Sequence, residues 1–213
     1  MKSCLTLLFL LLFITKSHSQ NSSDSIVKRY AEGIYDDKED FIEGFPSRTV
    51  SIDLHVSDSS ATELIGRGYF EYSETSKKVK NVFAISYEGN LYFQTGHITL
   101  PRNRNKKDKD QTSWTIGALH EFNRVIFMTA KFAYTEVILK SGWETGLAVN
   151  VGGRVYGYKK PVVWDYQKNE FNILRNCKDH NDFMAQNYPD GIQICSGKSY
   201  DLTATRASIM SIK

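Results

Sequence analysis

Apolar residues alternate with polar ones along residues 50–56, and this alternation restricts the possible folds of the chain most strongly. Every second residue there is apolar, and the residues between are Ser51, Asp53 and His55. Successive side chains of a strand point to opposite faces, so the pattern predicts a strand with one buried face. Aromatic and β-branched residues, which favour strands, recur through most of the chain that follows. The sequence therefore predicts a fold made mainly of antiparallel strands.

Two short turns predict β-hairpins. Glu88-Gly89-Asn90 separates apolar residues 79–87 from residues 91–95, and Gln167-Lys168-Asn169 separates residues 162–166 from residues 171–174. Short polar connections of this kind join neighbouring antiparallel strands. Further strands are predicted at residues 64–72, 116–123 and 124–132, the last continuing toward residue 139. Residues 141–157 contain five glycines, and for that segment the sequence allows either a strand pair or a loop.

A short helix is predicted near the start of the chain. Asp36 is followed three residues later by Glu39, which resembles a capping box, and Gly44 with Pro46 forms a stop signal. We therefore expect a helix from Asp37 to Glu43.

The end of the chain predicts two more helices and completes the expected architecture. They cover residues 179–187 and residues 202–212, and Asp201 is the expected N-cap of the second. No linker divides the chain, so we expect a single domain at residues 33–213 after a flexible leader at residues 20–32. The predicted fold class is α+β: a mostly antiparallel β sheet with a short N-terminal helix and one or two C-terminal helices.

Residues 1–19 have the composition of a cleavable secretory signal peptide. Lys2 precedes an apolar run from Cys4 to Ile14, and small residues precede the expected cleavage between Ser19 and Gln20. The run of about 11 residues is shorter than the roughly 20 needed to span a membrane. We therefore expect a secreted or periplasmic protein with no membrane span after cleavage. Loss of Lys2 and of a second lysine lowers the net charge from +3 to +1, so nucleic acid is not an expected partner.

Cys177 and Cys195 are the cysteines that remain after cleavage. An even pair in an exported protein favours one disulfide, which would stabilise the fold by about 3 kcal/mol. Unpaired thiols and a zinc site that adds Asp179 and His180 are the alternatives. Zinc sites usually combine two close ligand pairs, whereas Cys195 has no close second ligand. The sequence therefore predicts neither a metal site nor a cofactor.

Three short motifs near the start of the chain resemble motifs found in a known group of proteins. Gly33-Ile34-Tyr35, Glu39-Asp40-Phe41 and Phe45-Pro46 occur in the order found at the opening of small secreted proteins of Bacteroidota-type bacteria. Residues 83–93 are similar to a later element of those proteins, with one residue fewer between the glycine and the leucine. Residues 102–110 look like an insertion in this chain. The resemblance implies export and a lineage, and it implies no particular reaction.

No catalytic residues are predicted. The sequence lacks the G-x-S-x-G, H-E-x-x-H and G-x-x-x-x-G-K-[ST] motifs. Glu39 and Asp40 are adjacent on a helix, where side chains point about 100° apart, so helix capping is favoured over joint acid–base chemistry. His55, His97 and His120 are scattered singly.

A charged run and several large aromatic residues could bind a ligand, although each also has an ordinary structural explanation. Residues 102–110 carry five cations and two anions; we expect a solvated hairpin tip, with contact to an anionic polymer as the alternative. Large aromatic residues can stack on sugar rings, although core packing is the default expectation for each. These candidates are Trp114, Trp143, Tyr156, Tyr158 and Trp164.

The sequence predicts an exported cell-envelope protein that is a non-catalytic binding or scaffolding domain. Its expected partner is an envelope protein or a polysaccharide. The alternative is an envelope hydrolase whose site is assembled from scattered residues, since catalytic groups often converge from distant strands. A cleft with Glu or Asp beside His55, His97 or His120 would favour the hydrolase.

We predict that the exported protein begins at Gln20, because Ser19 occupies the small-residue position before the expected cleavage. N-terminal sequencing and intact-mass measurement of protein purified from the exported fraction check this. Protein that retains Met1, or that is found only inside the cell, would contradict the prediction.

Overall fold

The computed structural model describes residues 30–56, 67–105, 114–116, 119–141, 158–196 and 201–212. These residues form two antiparallel sheets and four α-helices, which confirms the α+β prediction. The predicted signal peptide and nearly all of the glycine-rich segment lie outside the described residues.

The strands are short and follow one another closely along the chain. Their bounds are β1 (Gly33–Tyr35), β2 (Ile52–Val56), β3 (Arg67–Tyr72), β4 (Ala84–Tyr87), β5 (Asn90–Gln94), β6 (Trp114–Ile116), β7 (Phe122–Arg124), β8 (Phe127–Met128), β9 (Phe132–Ser141), β10 (Tyr158–Asp165) and β11 (Glu170–Ile173). The first sheet has the order β1-β4-β5-β7-β3-β2. The second has the order β11-β10-β9-β6, and β8 pairs with β9.

The helices lie at the two ends of the described chain and after β5. Their bounds are α1 (Lys38–Glu43), α2 (Thr95–Thr99), α3 (Cys177–Asn187) and α4 (Leu202–Met210). Single turns of 3-10 helix occur at Pro101–Asn103 and Pro189–Gly191. None of the helices in the described ranges has the length and apolarity that crossing a membrane requires.

An aromatic cluster joins the two sheets, and we call it the inter-sheet cluster. It takes side chains from both sheets and from α1. Phe41 of α1 lies at its centre, with ring centroids 5.2 Å from Phe83 and 5.8 Å from Trp164. Phe171 of β11 lies 4.8 Å from Trp164. Tyr30, which precedes β1, stacks on Phe41 at 4.3 Å and is buried, so packed structure begins before Gly33.

Strand alternation separates the two faces of the second sheet. Val162 and Trp164 of β10 point into the inter-sheet cluster, whereas Val163 points to the opposite face. That opposite face is covered by α3 and α4, which contribute Phe183 and Ile209 to a second apolar cluster. The two C-terminal helices therefore form an outer layer on the second sheet.

The first sheet curls on itself and encloses a third apolar cluster. Ile34 of β1 forms an antiparallel bridge with Arg48. Arg48 belongs to the segment that leads into β2, and β2 lies at the far edge of the same sheet. The Arg48 guanidinium also donates to the Tyr72 hydroxyl and pairs with Asp36, with Nε 2.9 Å from Oδ2. These contacts bring the first and last strands of the sheet together.

A buried ion pair attaches α4 to the second sheet. Arg206 donates to both carboxylate oxygens of Glu136, at 2.6 and 2.8 Å. The Glu136 side chain is fully buried, and it also accepts the Tyr134 hydroxyl at 2.8 Å. Burial and the adjacent carboxylate raise the pKa of Tyr134. A bidentate pair of this kind fixes the orientation of the helix as well as its position.

Both predicted hairpins are confirmed, as are the two C-terminal helices, although several bounds were wrong. The predicted strand at residues 79–87 begins only at Ala84, because Asn81 adopts a left-handed φ of 57° that interrupts extended backbone. The predicted strand at residues 124–132 is broken, since Thr129 forms a tight turn through its backbone and hydroxyl contacts with Phe132. Helix α3 begins two residues earlier than predicted, at Cys177.

The N-terminal helix is confirmed, with a different cap from the predicted one. Asp37 is the N-cap, and its carboxylate accepts the Asp40 backbone N–H at 2.9 Å. Asp36 instead pairs with Arg48. Gly44 closes the helix with a left-handed φ of 77°, as the stop signal predicted.

We predict that Phe41→Ala lowers the free energy of unfolding by about 3–5 kcal/mol, because it removes the central ring of the inter-sheet cluster. Ile42→Ala is the matched control: Ile42 is the next residue of the same helix and is 45% exposed, so its truncation should change stability by less than about 0.5 kcal/mol. Urea denaturation measures both. Equal effects of the two substitutions would contradict the central role of Phe41.

Candidate functional site

A cleft lies between β11 and the exposed side of α3, and we call it the β11–α3 cleft. Its volume is about 140 Å³. Its lining combines polar and apolar atoms in similar amounts. The lining residues are Asn105, Lys168, Glu170, Asn172, Ile173, Leu174, Arg175, Asp179, Asp182, Phe183 and Gln186.

One wall of the cleft comes from a distant part of the chain. Arg104 forms a parallel bridge with Phe171, and the Asn105 backbone N–H donates to the Phe171 carbonyl at 3.1 Å. Asn103 and Arg104 are 2% and 4% exposed. The expectation that residues 102–110 form a solvated tip was therefore wrong for Asn103 and Arg104, which are buried, although Arg102 is exposed. Residues 106–110 lie outside the described residues.

Asn172 forms the polar base of the cleft and is 8% exposed. Its Oδ1 accepts the Asn105 side-chain amide at 2.8 Å. Among the described residues, its Nδ2 has no hydrogen-bond partner. A buried donor left unpaired costs about 1–3 kcal/mol, a cost that an acceptor on a bound molecule would offset. Unsatisfied donors of this kind are rare in folded proteins and call for an explanation.

Four charged side chains of the cleft lining contact partners of opposite charge. Arg175 Nε lies 2.5 Å from Asp179 Oδ2, and both side chains are largely buried. At the rim, Asp182 pairs with Lys178 at 2.8 Å. Lys168 Nζ lies 3.8 Å from the buried carboxylate of Asp165. The largely buried Arg175–Asp179 pair holds its polar atoms in fixed positions, whereas the other two pairs involve exposed lysines and are weaker.

Cys177 and Cys195 lie at disulfide distance, with their Cα atoms 5.6 Å apart. The pair connects the first residue of α3 to the strand-like segment before α4. Asn181 reinforces the connection, because its amide exchanges two hydrogen bonds of 2.8 and 2.9 Å with the Gln193 backbone. The Gln193 side chain in turn donates to Thr205 of α4 at 3.0 Å. Helix α3, which forms one wall of the cleft, is thereby anchored at its start.

The zinc alternative does not fit this arrangement. The two sulfur atoms that would bind the metal lie at disulfide distance from each other. His180 is fully buried, its Nδ1 lies 3.1 Å from Asn181 Oδ1, and burial lowers its pKa. Within the described ranges, no group of three or more His, Cys, Asp or Glu side chains could hold a metal ion.

The other histidines lie away from the cleft. His55 stacks on Tyr69 and approaches the Glu71 carboxylate at 3.3 Å on the surface of the β2–β3 pair. His97 packs edge-on against Phe83, and burial lowers its pKa. His120 is exposed. The arrangement expected for the hydrolase, a histidine beside the carboxylates of a cleft, is therefore not found among the residues that line the β11–α3 cleft.

Trp164 is a core residue rather than a surface aromatic, since it is 1% exposed within the inter-sheet cluster. The side chains of the other four aromatic candidates lie outside the described residues.

A second, shallower groove lies where β1 approaches the start of β2. Its volume is about 460 Å³ and its lining is rich in hydroxyls, including Thr49, Ser51 and Ser73. Its carboxylates are Glu32 and Asp53. The polar side chain that is most buried in this groove, Ser86, already donates to the Tyr30 carbonyl at 3.3 Å. This groove therefore lacks the unpaired buried donor that distinguishes the β11–α3 cleft.

Comparison with protein-family models, with curated proteins and with solved structures finds no match. Function is therefore inferred from the geometry of the chain itself.

Asn105, Asn172 and Arg175 line the cleft and were not singled out by the sequence analysis. One signal was available: Asn172 is a polar residue between the apolar residues Phe171 and Ile173 of a predicted strand. The alternation places it on the face opposite the core. Its hydrogen-bond partner Asn105 is 67 positions away in the sequence, so the signal alone could not define a site.

We predict that neither cysteine of the exported protein is alkylated without reductant, although Cys195 lies at an exposed position. Mass spectrometry after iodoacetamide treatment checks this. The double substitution of Cys177 and Cys195 by serine should lower the free energy of unfolding by about 3 kcal/mol, because it restores freedom to the unfolded chain. Quantitative alkylation of both thiols in the native protein would contradict the bridge.

Proposed function

We propose that this chain is an exported, non-catalytic binding domain of the cell envelope, and that it holds its ligand in the β11–α3 cleft. The observation that carries the proposal is the Asn172 amide: Asn172 lines the cleft, and its buried Nδ2 has no hydrogen-bond partner among the described residues. A ligand acceptor would satisfy this donor. Ligand sites commonly combine a concave shape with a few convergent polar groups, as this cleft does.

The construction of the walls supports binding. One wall is a strand paired within a sheet, and the other is a helix connected to the next segment by Cys177 and Asn181. Sites built on such rigid elements keep their donors and acceptors in place before the ligand arrives. The Arg175–Asp179 and Asn105–Asn172 contacts fix the polar atoms further. Little conformational entropy is then lost when the ligand binds.

Export is supported by two independent features. The first is the charged, apolar and small-residue order of residues 1–19. The second is the pair of cysteines at disulfide distance, since disulfides persist in oxidising compartments. The opening motif's resemblance to secreted proteins of Bacteroidota-type bacteria agrees with both.

We predict that a photo-crosslinking amino acid at Lys168, which lines the cleft and is about half exposed, captures an envelope component in intact cells. Excess unmodified protein should suppress the capture, because both forms compete for the same ligand. The matched control is the same crosslinker at the exposed Lys80, which lies on the connection before β4.

Mass spectrometry of the crosslinked products reads out the result. A component captured from position 168 and not from position 80, and lost on competition, supports the proposal. Identical products from both positions, or products that persist under competition, would contradict it.

A further inference from the structure

We infer that the β11–α3 cleft binds one neutral sugar ring, either as a free hexose or as the terminal residue of a glycan. The inference rests on the proposed function and adds the chemical class of the ligand. Three properties of the cleft lead to it: its size, the pairing of its charges and the mixture of donors, acceptors and apolar atoms along its walls.

The volume of the cleft limits the ligand to about one ring. It measures about 140 Å³. An engineered cavity of about 150 Å³ holds a single benzene molecule, so the cleft has the size of one six-membered ring. Longer ligands can occupy it only with a terminal unit, the rest of the molecule remaining in solvent.

The pairing of charges favours a neutral ligand. Arg175, Lys168 and Asp182 each already contact an opposite charge. A ligand carboxylate bound to Arg175, or an ammonium bound to Asp179, would have to separate the largely buried Arg175–Asp179 pair, and breaking a buried pair leaves an uncompensated charge at considerable cost. A neutral molecule can bind without separating any of them.

The polar atoms of the walls match hydroxyl groups. Carboxylate oxygens of Asp179 and Asp182 accept hydrogen bonds, while Nδ2 of Asn172 is a donor without a partner among the described residues. A hydroxyl both donates and accepts, so neighbouring hydroxyls of one ring can use both kinds of atom. Leu174 and Phe183 contribute apolar atoms that suit the C–H face of a sugar ring.

The matched experiment is an NMR titration of the folded, oxidised protein. The neutral probes are glucose, galactose and mannose; glucuronate and glucosamine are the anionic and cationic probes of similar size. At least one neutral hexose should shift the backbone amides of β11 and α3, and both charged probes should bind at least tenfold more weakly. The inference would be overturned if a charged probe bound as tightly as every hexose. It would also be overturned if the amide shifts were confined to residues outside β11 and α3.

Variants test whether the shifts come from the cleft. Gln186→Trp places a large ring at the exposed rim and should weaken hexose binding at least tenfold without touching a buried group. Asn172→Leu removes the unpaired donor and should have the same effect if the variant folds. Thr203→Ala, on the exposed side of α4, should leave binding unchanged. Unaltered affinity in Gln186→Trp would overturn the inference.

Two further comparisons complete the test. The first distinguishes a free sugar from the end of a glycan, and the second distinguishes failure of the sugar inference from failure of the proposed function. A tetrasaccharide that binds as tightly as the free hexose identifies a glycan end, and weaker binding identifies a free sugar; both outcomes support a sugar-ring site. If no hexose binds while crosslinking from position 168 still captures an envelope protein, the sugar inference fails and the binding-domain proposal stands.

Discussion

The inter-sheet cluster of aromatic rings is the contact on which the rest of the structure depends. Phe41, Trp164 and Phe171 pack together between the two sheets and are fully or almost fully buried. Because side chains of a strand alternate between faces, burying Phe171 in this cluster requires Asn172 to point to the opposite face. There it meets α3 and Asn105. The position of the polar amide at the base of the cleft therefore follows from the packing of its neighbour in the core.

The outer helices give this face of the sheet its second wall. Apolar side chains of α3 and α4 cover most of the face, and directional contacts fix how they lie. Cys177 lies at disulfide distance from Cys195 in the segment that precedes α4, while the bidentate Arg206–Glu136 pair fixes α4 against β9. Hydrophobic contact alone is non-directional and would leave the helices freer to slide. The cleft keeps its shape because directional contacts supplement the apolar packing.

The sequence predicted local features well and long-range ones poorly. The hairpin around Asn169 and the helix capped by Asp201 depend on the turn and capping preferences of residues adjacent in sequence. Both elements were confirmed. The contact between Asn105 and Asn172 spans 67 positions, and no local pattern encodes it. Residues 102–105 show the same limit, because a run of charged and amide side chains predicts exposure to solvent. Arg104 is nevertheless buried against β11.

We propose that the Asn172 amide, whose Nδ2 has no partner among the described residues, contacts the ligand. A high-resolution crystal structure of the oxidised protein grown with a saturating neutral hexose tests it most directly. We expect one sugar ring between β11 and α3, with a hydroxyl oxygen about 2.7–3.2 Å from Asn172 Nδ2. A cleft that contains only ordered water at that nitrogen, under conditions where the hexose is bound elsewhere on the protein, would contradict it.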